Sequence, residues 1–135
     1  MDTAFVTYRG GLRTEAVHLR SGERLITDAP VDNKGRGEAF SPTDLLCVSL
    51  ATCILTTMGI GAEARSIELA GATARVVKHM AADPRRVARI EVHLELDGAS
   101  LSVQQRALLE RIAHTCPVAL SLSPEVVQEI TFTYR

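Results

Sequence analysis

Ser41-Pro42-Thr43-Asp44-Leu45-Leu46-Cys47-Val48-Ser49-Leu50-Ala51-Thr52-Cys53-Ile54-Leu55-Thr56-Thr57-Met58-Gly59-Ile60-Gly61-Ala62 is the stretch whose reading decides the fold. Its first four residues carry a helix start. Ser stands at the cap, Pro at the first helical position, and Asp three residues after the cap replaces the commoner Glu or Gln of a capping box. Eighteen consecutive uncharged residues follow, Leu45 to Ala62, a length at the lower edge of a membrane span. Ser49, Thr52, Thr56, Thr57, Gly59 and Gly61 dilute the apolar run and the flanks are those of a water-soluble domain, so it reads as a buried central helix. A helix apolar on every side must be covered on every side. A chain of 135 residues with 4% aromatics has little with which to do that alone, and self-association is the expectation.

On the N-terminal side, short alternating runs predict strands at Ala4 to Tyr8, Glu15 to Leu19 and Arg24 to Thr27, separated by the turn signals Gly10-Gly11 and Ser21-Gly22. Asp28 to Phe40, rich in Gly, Asp, Asn and Pro, reads as an irregular loop. On the C-terminal side, Ile67 to Met80 predicts a long strand with a bulge at Gly71, Ala81-Ala82-Asp83-Pro84 a turn, and Val87 to Leu96 a second strand. Ile90, Val92, Leu94 and Leu96 face the core in that strand, while Arg89, Glu91, His93 and Glu95 face water. Ser102-Val103-Gln104-Gln105 is a second capping box, opening an amphipathic helix with Leu108, Leu109 and Ile112 on its apolar face. Val118 to Leu122 predicts a short helix, and Ile130, Phe132 and Tyr134 alternate in a last strand. This order is α+β, within a single domain spanning residues 1–135.

Composition narrows the function classes. The 14.6 kDa chain is 46% hydrophobic and 23% charged, with fifteen Lys and Arg against sixteen Asp and Glu for a net charge of -1. No basic block offers a nucleic-acid footprint, and the lack of Trp removes the usual stacking platforms. The ligand is expected to be small, with neither nucleic acid nor membrane as partner. Met1-Asp2-Thr3-Ala4-Phe5 is no secretory signal, so a cytoplasmic address is the expectation. No Cys-x-x-Cys, His-x-x-x-His or acidic cluster offers a metal site, and no strand-to-helix glycine loop offers a phosphate site; no cofactor is expected.

Three cysteines, Cys47, Cys53 and Cys116, are too few and too scattered for a secreted disulfide scaffold. Their alternatives are thiol chemistry or service as small buried hydrophobes. Cys47 and Cys53 are separated by about 9 Å along one helix and roughly 120° around it, beyond disulfide reach. Any pair therefore includes Cys116. Cys53 lies too far into its helix for the dipole to activate it. Cys116 directly precedes Pro117 and is expected at the N-cap of the following helix, where free backbone N–H groups favour an anion.

Ser41-Pro42-Thr43-Asp44-Leu45-Leu46, continuing through Ala51-Thr52-Cys53, together with Cys116-Pro117-Val118 some sixty residues on, resembles the OsmC and organic-hydroperoxide-resistance family, in a shorter, poorly characterised branch. The resemblance covers essentially the whole chain. It implies an OsmC-like α+β fold of N-terminal antiparallel strands, a long central helix, a β-hairpin, two helices and a C-terminal strand, assembled as an intertwined homodimer with active sites at the interface. It also implies a thiol-dependent peroxidase. Cys53 would be the peroxidatic residue and Cys116 the resolving one, with a small hydroperoxide as substrate and a dithiol, of lipoyl type in the hydroperoxide-resistance branch, as reductant. Leu46, Ser49, Leu50, Thr56 and Thr57 share the face of Cys53 by helical spacing, to line a substrate pocket or to pack.

The resemblance further implies an Arg from the N-terminal hairpin to hold the thiolate, with a Glu ten residues before the Cys to orient it. Arg13 is the nearest match for the Arg and Arg9 the second. Thr43 stands where the acid is expected, and Asp44 lies on the other side of the helix, suited to a cap. Glu38, from the loop, is the replacement acid. Cys47 is expected in the core, and His18, His79 and His93 in satisfied or surface positions. His114 has two readings, helix-end packing or assistance in proton transfer. The departure at Thr43 supports an alternative function: a non-catalytic dimer of the same shape that binds a small apolar or thiol-bearing ligand.

Overall fold

Gly11 and Leu12, with φ of 61° and 63°, form the two-residue connection of the first hairpin. Two consecutive positive φ values define the turn whose twist matches that of paired strands. It joins strand β1 (Ala4–Gly10) to β2 (Arg13–His18), and β3 (Arg24–Asp28) completes an antiparallel sheet in the order β1-β2-β3. Residues 1–46 and residues 47–135 form two compact units in the computed structural model, which describes residues 1–135. In the first unit the loop after β3 is irregular apart from a single 3-10 turn at Val31–Asn33. Backbone bonds from Ala29 N to Leu12 O (3.0 Å), Asp28 N to Phe40 O (3.1 Å) and Gly37 N to Ala29 O (3.2 Å) tie it to the sheet. Gly35 is required there: a Cβ would fall 1.7 Å from the Ala29 carbonyl oxygen.

Helix α1 (Pro42–Glu63) starts as expected. Asp44 N donates to Ser41 Oγ at 3.0 Å and Ser41 N donates to Asp44 Oδ2 at 2.9 Å, so each satisfies a group the helix end leaves open. Asp44 is thereby occupied as a cap. One chain does not cover the helix on every side. Cys47, Leu50, Ala51, Ile54, Met58, Gly61 and Ala62 are buried, whereas Thr52, Thr56 and Ile60 are exposed, so the helix has one covered and one open face. Its length and hydropathy would suffice to cross a membrane, a property it shares with core helices of soluble folds.

In the second unit, strand β4 (Thr73–Ala81) is shorter than expected. Residues 67–72 are irregular because Ser66 enters the left-handed region at φ 54°, Ile67 N folds back onto Ala62 O (2.8 Å), and Gly71 turns at φ 92°. The bulge falls between His79 and Met80 instead of at Gly71. Strand β5 (Arg86–Leu96) pairs antiparallel with β4 and parallel with β6 (Val127–Tyr134), giving the order β4-β5-β6. A parallel pair needs a long crossover. Here it holds α2 (Val103–Ala113), capped reciprocally by Ser102 and Gln105, and α3 (Pro117–Ser121). Ile90, Val92, Leu94 and Leu96 face inward as read from their period-two pattern, joining Leu50, Ile54, Met58 and Leu109 in the core. Each such side chain removed from water stabilises the fold by about 1.5–3 kcal/mol.

Candidate functional site: a thiol pair beside the central helix

The second unit brings Cys53 of α1 and Cys116 together. The Cys116 thiol is within hydrogen-bonding reach of Cys53, and all three cysteines are free. The two sulfurs stand in unequal surroundings. Cys53 lies at the margin between the covered and open faces of α1 and is half-buried, whereas Cys116 is wholly enclosed. Thr57, one turn further along α1, places Oγ1 4.0 Å from Cys53 Sγ. Neighbours four apart on a helix lie one above the other, so Thr57 reaches Cys53 by spacing alone.

Cys116 is the N-cap of α3, and its sulfur accepts a bond from Ala119 N at 3.3 Å. The activation expected from that position is corrected. Burial pushes the thiol above its ordinary value, the Ala119 amide offsets this only in part, and Cys53 pushes it up further. A helix of one turn and the amides of Ala119 and Val118 do not outweigh the loss of water around a charged sulfur. Cys116 therefore holds its proton more firmly than an ordinary thiol.

The other predicted residues are placed as follows. Leu50 is sealed in the core on the packing side of α1, Ser49 and Thr57 are half-buried, and Leu46 and Thr56 are exposed. Cys47 is enclosed in the core. His114 closes α2 as its C-cap and sits edge-on to Phe132, with ring centroids 6.3 Å apart. A concavity of about 510 Å³ in the first unit is walled by Arg24, Leu25, Ile26, Gly37, Glu38, Ala39 and Phe40, and holds no thiol.

In that same unit Arg13 and Arg9 separate clearly. Arg9 pairs on the surface with Glu15 at 2.7 Å, which also receives Arg24. Arg13 is held in two parallel bonds, Nε to Asp28 Oδ1 and one terminal nitrogen to Asp28 Oδ2, both 2.7 Å. Glu38 stands second, at 3.2 Å from Arg13, with a mostly exposed side chain, and its backbone N–H donates to Asp28 Oδ2. Asp28 is fully enclosed, and the Arg13 guanidinium holds its carboxyl below the usual range. A two-pronged pair of this kind fixes both position and charge of the arginine. Asp28 is the residue the sequence reading missed, having ended its strand one residue early. Strand register contained the signal, since Arg13 and Asp28 are opposed across β2 and β3.

A half-buried thiol on a long apolar helix thus lies beside an enclosed thiol at the cap of a short one, within an α+β fold. The chain belongs to the OsmC-like protein family: the family model matches residues 35–131, a span that contains both cysteines and begins after Arg13. A protein of known structure from Psychrobacter arcticus, whose name ties it to osmotic stress and a detoxification response, is 50% identical, with 98% of this chain and 96% of that one covered and a TM-score of 0.93. Two more distant structures share the fold. One is an organic hydroperoxide resistance protein OsmC from Legionella pneumophila (18% identity, 98% of each chain, TM-score 0.76). The other is an organic hydroperoxide resistance protein from Vibrio cholerae with captopril in one of its active sites (18% identity, 98% and 92% covered, TM-score 0.71). No curated protein matches the sequence.

Proposed function

We propose that this protein is a two-cysteine peroxidase that reduces organic hydroperoxides to alcohols. The observation that carries the reading is the contact between Cys53 and the enclosed Cys116. In the first step the Cys53 thiolate attacks the outer oxygen of R–O–O–H. The O–O bond breaks, the alkoxide leaves and takes a proton to become the alcohol, and Cys53 becomes a sulfenic acid. In the second, the Cys116 sulfur attacks the Cys53 sulfur, an S–S bond forms and water leaves. A small dithiol, oxidised to its own disulfide, returns both cysteines to thiols. The unequal exposure of the two sulfurs supports this division of labour, because the accessible one meets the peroxide.

The family resemblance makes Arg13 the cation proposed to favour the thiolate; within its own unit Asp28 is its principal anchor and Glu38 its second carboxylate. The assembly is a homodimer. Phe5, Val6 and Tyr8 leave both faces of β1 apolar and exposed, and α1 keeps an open face, surfaces that a second copy would cover. Localisation in the cytoplasm accords with free thiols.

The test adds cumene hydroperoxide to reduced protein and follows peroxide and free thiols together. The expected result is loss of one peroxide and two thiols per chain, with a Cys53–Cys116 linkage in the peptide map. Unchanged thiols at full occupancy of reduced protein overturn the proposal.

A further inference from the structure

We infer that Thr57 is a hydrogen-bond donor to the reacting sulfur, stabilising the thiolate of Cys53 from within the same helix; this rests on the peroxidase reading for its purpose but not for its chemistry. Thr57 Oγ1 is 4.0 Å from Cys53 Sγ, within the range of hydrogen bonds to sulfur, and the contact is half-buried. A threonine inside a helix usually turns its hydroxyl back onto a carbonyl of the preceding turn. Thr52 does so, donating to Ser49 O at 3.1 Å. The Thr57 hydroxyl is instead directed at sulfur.

Proton counting gives the contact its direction. With Cys53 protonated, either atom can donate. Once the Cys53 proton has passed to solvent, the only proton left between the two atoms is on Thr57 oxygen, so the hydroxyl must donate to a charged acceptor. Bonds of that type are roughly twice as strong as neutral ones, so the contact favours the thiolate over the thiol. Cys116, which holds its proton more firmly than an ordinary thiol, is a second donor within reach of the same sulfur. Cys53 thus has an O–H and an S–H donor within reach. Thr43 and Asp44, at the start of α1, are engaged with Ser41.

The experiment measures alkylation of Cys53 by iodoacetamide against pH in the full-length protein, read from the Cys53 peptide by mass spectrometry, for wild type, Thr57→Val, Thr57→Ala and Thr57→Ser. The expected result is a rise of about one unit in the midpoint, and about a tenfold slower reaction at pH 7, for Thr57→Val and Thr57→Ala alike. Thr57→Ser restores the wild-type profile to within about twofold, because it keeps the hydroxyl. Profiles that coincide for all four proteins overturn the inference, as does a shift in Thr57→Ser equal to that in Thr57→Val. Alkylation uses no peroxide, so failure of the peroxidase proposal leaves this measurement intact. Conversely, peroxide turnover with coincident profiles removes Thr57 alone.

Discussion

Two sulfurs within hydrogen-bonding reach of each other differ in exposure, and the proposed chemistry gives each a different part. Cys53→Ser is expected to abolish hydroperoxide consumption. Cys116→Ser is expected to consume a single equivalent and stop, leaving a sulfenic acid on Cys53 that dimedone traps and mass spectrometry reads. A Cys116→Ser protein that turns over many equivalents at the wild-type rate with the same dithiol would count against Cys116 as the resolving residue. Asp28 yields a pH prediction with a definite sign. Arg13 depresses its carboxyl, so the pair's contribution to folding is complete above the unfolded-state pKa of about 3.9 and is lost as pH falls through the lower folded value. Asp28→Asn is expected to melt earlier than wild type at pH 7 and to show a flatter loss of thermal midpoint between about pH 4 and 2, followed by circular dichroism. At this scale the sequence exposed the two cysteines by residue type and spacing, and the caps by their motifs. It hid Asp28, because an enclosed carboxylate opposite an arginine depends on strand register, which local patterning fixes only to within a residue or two.

The elements follow the same division. Period-two alternation placed β5 and its four core residues, and two capping boxes placed α1 and α2, because each signal is local in the chain. Other features left no such signal. Residues 67–72 carry enough apolar side chains to read as strand, yet the left-handed turns at Ser66 and Gly71 and the fold-back of Ile67 onto the helix end remove them from the sheet. The parallel pairing of β6 with β5 is likewise a property of the crossover, not of either strand's composition. Replacing Ser102 by Ala removes one half of the α2 capping box and is expected to cost about 1 kcal/mol, or roughly 4 °C in thermal midpoint. A scanning melt checks this. A loss below 0.3 kcal/mol, on the order of measurement error, would mean that the cap is satisfied by other groups.

At the scale of the whole molecule, the open surfaces matter more than the covered ones. The sheet β1-β2-β3 shows apolar residues on both faces, and α1 is apolar yet only partly covered. A chain of this length left with such surfaces as a monomer would be prone to non-specific association. Light scattering on a sizing column is therefore expected to give about twice the 14.6 kDa chain mass, with a thermal midpoint that falls on dilution. A concentration-independent mass of one chain refutes the dimer. Here the sequence was informative in outline: the unbroken apolar run in the helix called for more cover than one chain supplies, although it did not tell which face would be left open.

The unequal enclosure of the thiols offers a readout of its own. Cys47 and Cys116 are shut away while Cys53 is not, so a bulky maleimide on native protein should label one site promptly and the remaining two only as fast as the structure opens. The later phase then reports the frequency of breathing around the core, in the same tube in which the first reports how much protein is competent to react. A sample whose sites all label together has lost its interior, whatever its activity.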